Sequence, residues 1–242
     1  YTETGATNIT GAGLTLNSST GVIAGDPDDV TSNTTVSFTG RATANTKTAD
    51  RSFSFIVSAD AIGGTIIEPA AYTGNTHRSH TFFYAGNGTS TNDFVIYSTT
   101  VVDYLIVAGG GSGGVGGGGA GGMYTAASVS LSPGTYAAVV GAGGAVPSGG
   151  AYGNQGGDST FNSITAIGGG AGASNSSTTG GAGGSGGGGG AFAGGTGFPG
   201  GAGTSGQGNA GGIGRAVQSP NEYGPGGGGG AGAVGGNGID GG

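Results

Sequence analysis

The sequence predicts an all-β fold in which a small antiparallel β-body carries a bundle of packed left-handed polyglycine helices. Two observations lead to this fold class. Residues 109–242 hold 56 of the 67 glycines and only four charged side chains, namely Asp158, Arg215, Glu222 and Asp240. Short stretches rich in β-branched and aromatic residues, bounded by turn residues, interrupt the glycines and recur through the first half of the chain, which is the pattern of half-buried strands.

Residues 1–62 are rich in Thr, Ser and Asn and contain candidate strands at 14–16, 22–23, 35–40 and 51–57. The polar residues 44–50 are predicted to form the hairpin loop between the last two strands. The densest charge cluster is formed by Asp26, Asp28 and Asp29. These carboxylates suit either a Ca²⁺ site, because hard oxygen ligands bind this ion, or a turn fixed by Pro27. The turn is the preferred interpretation.

Further candidate strands predict a β-body over about 64–108 and 124–167. They lie at 65–68, 80–84, 93–97, 101–107, 124–131, 135–140 and 159–167. His77 and His80 flank Arg78 at the edge of this region, but no Cys or nearby carboxylate completes a zinc ligand set. We therefore expect a polar loop that leads into a strand, and we predict no metal site and no cofactor.

The glycine runs have neither the strict third-residue glycine of collagen nor the helix that must follow a nucleotide-binding loop. They lie at about 109–122, 141–157, 168–190, 194–214 and 224–242. A left-handed polyglycine helix has three residues per turn, rises about 3.1 Å per residue and makes no internal hydrogen bonds. Because buried backbone groups need partners, we expect several such helices to lie side by side and bond to one another.

Composition excludes several classes of function. The net charge is −7 and the five cations are scattered, so we expect no nucleic-acid binding. The longest apolar run, 101–108, is broken by Asp103 and is too short for membrane insertion. The few acids, bases and nucleophiles are not grouped as catalysis requires, and we predict that the protein is not an enzyme. The abrupt start and end lead us to expect a piece of a longer protein.

Side chains that interrupt the later glycine runs are the candidates for contact with a receptor, because loops on a rigid scaffold commonly carry recognition. Aromatic rings there could stack and amides could hydrogen-bond. For Phe192 and Phe198, packing between helices is an alternative of at least equal weight. The candidate contact residues are Phe192, Phe198, Arg215, Gln218, Asn221, Glu222 and Tyr223.

Two stretches resemble known families. The string GLTLNSSTGVIAGDP at 13–27, together with the F-x-F-x-V pattern at 53–57, resembles immunoglobulin-like modules of bacterial and phage surface proteins. The resemblance covers about 5–58 and lacks the first strands of the module. It implies that residues 1–62 form a partial Ig-like β-sandwich, which another copy could complete.

The second resemblance covers about 64–242 and includes strand sequence as well as glycine. The strings VDYLIVAGGGSGG (102–114), GGGGAGGMYTAASVSLSPGTYAAVVGAGG (116–144) and GGDSTFNSITAIGGGAGA (156–173) resemble the glycine-rich domain of phage tail-fibre proteins. The polyglycine bundle is similar to the receptor-binding adhesins that cap long tail fibres. The closing G-x-V-x-I-x-Y strand of that domain is missing after Asp240. The predicted domains are therefore 1–62 and 63–242.

The resemblance implies a non-enzymatic adhesin on a virion tail fibre or an extracellular surface. Its partners would be a host surface receptor, either a saccharide or an outer-membrane protein, and other virion or fibre proteins. Such fibres are commonly trimeric, so a homotrimer is compatible with the resemblance, although no residue demonstrates threefold contact. A purely structural virion or filament protein is the alternative, and an ice-binding protein is a third interpretation.

Overall fold

The computed structural model describes residues 2–4, 14–25, 34–44, 46–57, 61–67, 78–86, 90–175, 179–191, 197–215 and 224–239. In these ranges the chain consists of strands and hydrogen-bonded coil without a helix, which confirms the all-β prediction. It follows that no helix in the described ranges is long and apolar enough to cross a membrane. The strands are β1 (Thr2–Thr4), β2 (Leu14–Leu16), β3 (Ile23–Gly25), β4 (Thr34–Ala44), β5 (Lys47–Val57), β6 (Ala61–Ile62), β7 (Thr65–Ile67), β8 (Ser79–Thr81), β9 (Ser90–Ile96), β10 (Thr100–Val107), β11 (Met123–Leu131), β12 (Gly134–Val140), β13 (Ser159–Phe161) and β14 (Ile164–Ala166).

The chain divides into two compact units. Unit 1 comprises Tyr1–Ile62, Val95–Thr100 and Ser132–Gly134, and unit 2 comprises the rest. Unit 1 contains a three-stranded antiparallel sheet of order β1-β4-β5 and a separate β2–β3 hairpin. Their apolar faces meet in a small core formed by Leu14, Val36 and Phe38, against which Leu16 and Phe55 pack. Alternation along β2 and β4 therefore places one face inward, as the sequence predicted.

The β4–β5 hairpin is longer than predicted, and the expected loop at 44–50 is wrong. The ladder continues through Thr43↔Thr48 to Ala44↔Lys47, so that a two-residue turn joins the strands. Thr46 in that turn has φ 68°, a left-handed conformation. Across the ladder Arg41 donates two hydrogen bonds of 2.7 Å to Asp50. These bonds lower the pKa of Asp50 and raise that of Arg41. Residues 47–50 thus belong to an exposed strand.

Unit 2 contains the β10–β11 and β7–β8 pairs and a sheet whose order includes β14-β13-β12-β9. Its core contains Ile106, Ala108 and Ala166. The ring of Phe161 lies 5.3 Å from that of Tyr104 and 6.0 Å from that of Phe94. Aromatic side chains thus pack around the small aliphatic core of this β-body, where each can bury a large area.

The predicted strand at 159–167 is a tight hairpin instead. Strands β13 and β14 pair antiparallel from Ser159↔Ala166 to Phe161↔Ile164. Asn162 and Ser163 form the two-residue turn, with φ values of 47° and 63°. Two consecutive left-handed residues characterise the type I′ turn, which matches the twist of paired strands. Asn162 is a residue type that favours such a turn, but apolar and polar residues alternate on both sides of it, so the sequence was interpreted as one continuous strand.

In the described part of unit 2, eleven glycine segments pack beside one another without forming regular strands. We number them in chain order as segment 1 (108–114), 2 (116–122), 3 (141–145), 4 (151–157), 5 (167–173), 6 (179–184), 7 (185–191), 8 (197–204), 9 (208–215), 10 (224–230) and 11 (233–239). Hydrogen bonds between two neighbouring segments recur at every third residue. Between segments 9 and 10, for example, Asn209, Gly212 and Arg215 donate to the carbonyls of residues 230, 227 and 224.

Segment 7 occupies the centre of this array. Residues 183–191 are all buried, and each of residues 185–189 both donates and accepts a backbone hydrogen bond with another segment. The donors bond to segments 2, 6 and 9, and the acceptors receive bonds from segments 5, 8 and 10. One segment therefore has six bonded neighbours. This arrangement, which we call the glycine lattice, satisfies the buried backbone without intrasegment bonds.

Close approach explains why these positions are glycine. A Cβ atom built on Gly188 would lie 1.9 Å from the carbonyl oxygen of Gly226, and one on Gly187 would lie 1.9 Å from that of Ala171. Both distances are far below van der Waals contact, and the obstructing atoms belong to backbone. The lattice spacing thus requires glycine at these positions.

Candidate functional site

The register of the hydrogen bonds fixes the direction of every segment in the glycine lattice. Segments 5 and 7 are parallel, because the bonds join residue 170 to 185 and residue 173 to 188. Segments 2 and 7 are antiparallel, because the bonds join 120 to 185 and 117 to 188. The hydrogen bonds between the other pairs of segments follow the same rule. Odd-numbered segments run away from the strands, and even-numbered segments return toward them.

The two ends of the glycine lattice differ in the connections that they carry. At the proximal end, where the strands of unit 2 begin and end, short turns join segments 6 and 7, 8 and 9, and 10 and 11. At the distal end, the described connections are Val115, residues 146–150 and residues 174–175. The segment ends at residues 191 and 197, and those at residues 215 and 224, lie there too. The intervening sequences 192–196 and 216–223 lie outside the described residues.

Two of the predicted contact residues lie on neighbouring segments at the distal end. Phe198 is half-buried near the start of segment 8, and its carbonyl oxygen accepts a 2.8 Å hydrogen bond from Gly214. Arg215 follows Gly214, is exposed, and donates through its backbone N–H to Gly224 at 2.6 Å. The half-burial of Phe198 fits both of the interpretations given for it. Phe192, Gln218, Asn221, Glu222 and Tyr223 lie outside the described residues.

Hydrogen bonds brace the distal ends of segments and their connections against one another. The Tyr152 hydroxyl donates to the carbonyl oxygen of Thr179 at 3.0 Å, and the Asn175 N–H donates to that of Gly150 at 3.3 Å. Sequence reasoning did not single out Tyr152 or Asn237, whose Oδ1 accepts from the Ile213 N–H at 2.9 Å. Both residues could have been identified from the sequence, because few large polar side chains interrupt these glycine runs.

The histidine pair, the glycine-rich loop after β10 and the Asp cluster were also considered as sites in the sequence, and the described residues among them make hydrogen bonds within the fold. His80 lies on β8, where its Nδ1 is 2.9 Å from the Gly63 carbonyl oxygen and its ring meets Phe94 edge-on at 5.0 Å. Backbone donors of the glycine-rich loop after β10 bond to other segments: those of Gly109, Gly111 and Gly114 bond to carbonyls at residues 157, 119 and 116. The Asp26, Asp28 and Asp29 cluster and His77 lie outside the described residues. Among the residues that are described, no three His, Asp or Glu side chains are grouped to hold a metal.

Antiparallel strands that carry a hydrogen-bonded array of glycine segments define a glycine-rich all-β scaffold. The family model of the glycine-rich domain matches residues 85–242, more than half of the chain. The chain therefore belongs to the glycine-rich domain family. No curated protein matches it, and no solved structure does.

Proposed function

We propose that this protein is a non-enzymatic attachment module, a tail-fibre or adhesin component that recognises a host cell-surface receptor through the distal end of the glycine lattice. One observation carries the proposal. The described segment ends at residues 175 and 179, 191 and 197, and 215 and 224 share one end of the lattice, whereas the opposite end joins the strands and carries short turns. In the sequence, these ends flank the stretches of this region that are rich in non-glycine residues. A stiff support with varied loops at one end is the arrangement commonly used for recognition.

We further infer that the eleven segments are left-handed polyglycine helices. Bonding at every third residue supports this, because such a helix has three residues per turn. The glycines with positive φ among the described residues are Gly21, Gly63, Gly64, Gly86, Gly149, Gly150 and Gly206, all of which lie outside the segments. A crystal structure should give segment angles near φ −75° and ψ +145°. Angles typical of ordinary β-strands would refute the assignment.

The stiffness of the glycine lattice favours binding at its loops. A receptor that meets preordered loops loses less conformational entropy than one that must order a flexible chain. The braces between Tyr152 and Thr179 and between Asn175 and Gly150 act in the same direction. The host receptor, either a saccharide or an outer-membrane protein, would thus bind a surface that loses little conformational entropy on binding.

Unit 1 is compatible with a partial Ig-like sandwich that serves as a spacer. Its support is the packing of the β2–β3 hairpin on the β4–β5 ladder through Leu14, Val36 and Phe38. Two facing layers with inward apolar residues are the basic feature of such sandwiches. In this proposal unit 1 connects to other virion or fibre proteins, on a tail fibre or an extracellular surface.

The experiment uses the labelled intact chain and a panel of bacterial strains. We expect the chain to adsorb to a subset of strains and to block infection of those strains by a phage that carries it. Replacing Arg215, Asn221 and Tyr223 together with Ala should abolish adsorption and leave the melting temperature unchanged. The matched control is Ser205→Ala, in a proximal turn, which should adsorb normally.

Failure to adsorb to any strain that the phage infects would overturn the attachment function and favour a structural virion or filament component instead. Equal loss of adsorption in the Ser205→Ala control would place recognition away from the distal end. Thermal hysteresis in a solution of the intact chain would favour the ice-binding alternative.

A further inference from the structure

Five segments of the glycine lattice form an outer layer that is bonded on one side only. Within the described residues, segments 3, 1, 2, 10 and 11 follow one another in this layer, and each is hydrogen-bonded to the next. Their other intersegment bonds are with segments 4, 5, 7 and 9, which form the layer beneath. Segment 7 has six bonded neighbours, whereas segments 2 and 10 have four each. The lattice is therefore complete at its centre and incomplete along the open side of the outer layer.

The open side presents backbone groups of the kind that bond inside the lattice. Because bonding repeats at every third residue, the donors of a segment take three directions. In segment 2, Gly119 donates to segment 5 and Ala120 to segment 10, which leaves the direction of Gly118 for the open side. Neither the N–H nor the C=O of Gly118 bonds to another described residue, and the same holds for Gly228 in segment 10. The outer layer thus offers both donors and acceptors to a neighbour.

Several glycines of the outer layer are not required by the packing of the chain itself. A Cβ atom on Gly110, Gly143 or Gly230 would meet no atom closer than 3.7 Å, and one on Gly236 would meet none within 4 Å. At Gly188 in the centre, the same atom would lie 1.9 Å from a carbonyl oxygen. A neighbour that approached the open side as closely as the segments approach one another would require glycine at these four positions.

The open side continues into one face of the β10–β11 pair. Strand β10 runs directly into segment 1, and segment 2 runs directly into β11. The inner face of this pair carries Tyr104, Ile106 and Tyr124, which pack with Ala166. Ala166 immediately precedes segment 5, which lies beneath segments 1 and 2. The opposite face of β10–β11 therefore lies on the open side of the outer layer.

That opposite face is apolar and exposed. Successive side chains of a strand alternate between its two faces, and the large apolar side chains that alternate with the inner ones are 40–64% exposed. These side chains, which we call the apolar ribbon face, are Val101, Leu105, Val107 and Met123. A contiguous exposed apolar patch commonly marks an interaction site. Exposure of this face therefore indicates a partner that covers it.

The charge of the open side favours association of identical copies. No charged residue occurs at 104–125, 141–145 or 224–239, although the chain as a whole has a net charge of −7. Asp103 of β10 is engaged locally, because its carboxylate accepts a 2.7 Å hydrogen bond from the Ser128 N–H. Two copies can therefore approach each other through this side with less repulsion than through charged surfaces.

We propose that the outer layer and the apolar ribbon face together form the interface of a homodimer, in which these surfaces of two copies stack against each other. A second copy presents N–H and C=O groups at the same three-residue spacing, so it can bond to groups such as those of Gly118 and Gly228. A surface that offers donors and acceptors alike is self-complementary, as an interface about a twofold axis requires. This inference is independent of the attachment function.

The size of the surface suits a stable dimer. A segment of seven residues is about 22 Å long at about 3.1 Å per residue. Five backbones at a hydrogen-bonded spacing of about 4.8 Å span about 24 Å. The outer layer thus presents roughly 500 Å², and the apolar ribbon face adds roughly 200 Å². A standard interface buries about 800 Å² on each partner.

The test measures the mass of the intact chain in solution by sedimentation equilibrium over a range of concentrations. We expect a monomer of 22.2 kDa at low concentration and a species of twice that mass at high concentration, with a Kd of roughly micromolar or lower. Hydrogen exchange followed by NMR provides a local measurement. The amides of Gly118 and Gly228 should exchange more slowly in the dimer, because bonded and buried amides are protected.

Two variants locate the interface. The double variant Gly110→Gln, Gly143→Gln adds uncharged side chains where the monomer has room for them, and it should raise the Kd of the dimer at least about tenfold by preventing close approach. Leu105→Gln removes an apolar side chain that is 60% exposed, and it should also raise the Kd. Circular dichroism and melting temperatures establish that both variants are folded.

Each variant has a matched control on another surface. Ala202→Gln adds the same side chain at an exposed position of segment 8, outside the outer layer. Ile56→Gln removes an apolar side chain that is 63% exposed on β5. Both controls should dimerise as the native chain does.

Several results would overturn the assignment. One is a chain that stays monomeric at millimolar concentration, and another is a trimer, because a face that pairs about a twofold axis is used up in a dimer. A dimer that survives both outer-layer variants, or that either control weakens equally, would place the interface elsewhere. Thermal hysteresis from a monomeric chain, lost in the Gly110→Gln, Gly143→Gln variant, would assign the open side to ice instead of a second copy.

Discussion

At Ser185 a hydroxyl group is enclosed in the centre of the glycine lattice. The residue is fully buried, and its Oγ has no hydrogen-bond partner among the described residues. Its backbone N–H donates to Ala120 and its carbonyl accepts from Gly170. An unsatisfied buried hydroxyl costs roughly 1–3 kcal/mol. Segment 7 therefore has room for a Cβ at Ser185, as it does at Ala191 at its distal end, but the hydroxyl of Ser185 adds no stability that the structure explains.

We predict that Ser185→Ala leaves the protein as stable as the native chain or raises its free energy of unfolding by about 1 kcal/mol. The substitution keeps the Cβ and removes the unsatisfied group. Thermal or denaturant unfolding measures the difference. Ser185→Thr is the matched control, because its extra methyl group overfills the lattice and should destabilise by about 1–3 kcal/mol. A clear loss of stability in Ser185→Ala would mean that a buried water or another partner satisfies the hydroxyl.

At the scale of one element, segment 7 and segment 11 differ in their need for glycine. A Cβ on Gly188 would lie 1.9 Å from the Gly226 carbonyl oxygen, whereas one on Gly236 would meet nothing within 4 Å. Both residues belong to segments of the same lattice. The requirement for glycine therefore follows from the number of neighbouring segments and not from local conformation.

We predict that Gly188→Ala destabilises unit 2 by at least about 1–3 kcal/mol, because backbone on both sides would have to move. The matched variant Gly236→Ala should change the free energy of unfolding by no more than about 0.5 kcal/mol. Chemical unfolding followed by a probe in unit 2 measures both. Equal tolerance of the two substitutions would contradict the close packing of segment 7.

The β13–β14 hairpin offers a second prediction at this scale. Ser163 has φ 63°, a conformation that costs a non-glycine residue roughly 1–2 kcal/mol. Ser163→Gly should therefore stabilise the protein by up to about 1 kcal/mol, whereas Thr165→Gly in the adjacent strand should destabilise it by a similar amount. Melting temperatures of the two variants provide the comparison. A Ser163→Gly variant that is less stable than the native chain would show that the left-handed conformation at this residue does not lower the stability of the protein.

At the scale of the whole molecule, the protection of backbone amides in unit 2 against hydrogen exchange should decrease from the centre of the glycine lattice outward. Residues 185–189 are buried and hydrogen-bonded on both sides, whereas Gly232 and Val234 are exposed at the periphery. Buried hydrogen-bonded amides exchange only when the surrounding structure opens. We therefore predict that the amides of segment 7 exchange with solvent most slowly and those near residues 232–234 most rapidly. Hydrogen exchange followed by NMR tests this, and equal rates in the two regions would refute it.

The strand content of the fold was largely predictable, and the errors have local causes. Alternation located the cores of β4, β5, β10, β11 and β12, since one face of each must be buried. Polar residues at 44–50 were assigned to a loop because an exposed ladder has the same composition as a loop. The turn at Asn162 and Ser163 escaped because its short flanking strands look like one continuous strand.

The candidate site was predictable in part. Arg215 and Phe198 were identified from the sequence because non-glycine residues are conspicuous among glycines, and both lie at the distal end. Their proximity to Asn237 and Ile213 could not be read from the sequence. Glycine runs give no register signal, so the partners of each segment become evident only when the hydrogen bonds are placed.

The all-β, glycine-rich character of this protein can be read from its residues alone, because alternation and backbone sterics act over a few residues. The central position of segment 7 and the direction of each segment become evident only when the hydrogen bonds of the folded chain are known. Backbone N–H and C=O groups are the same in every residue except proline, so their pairing encodes no preference until the chain has packed.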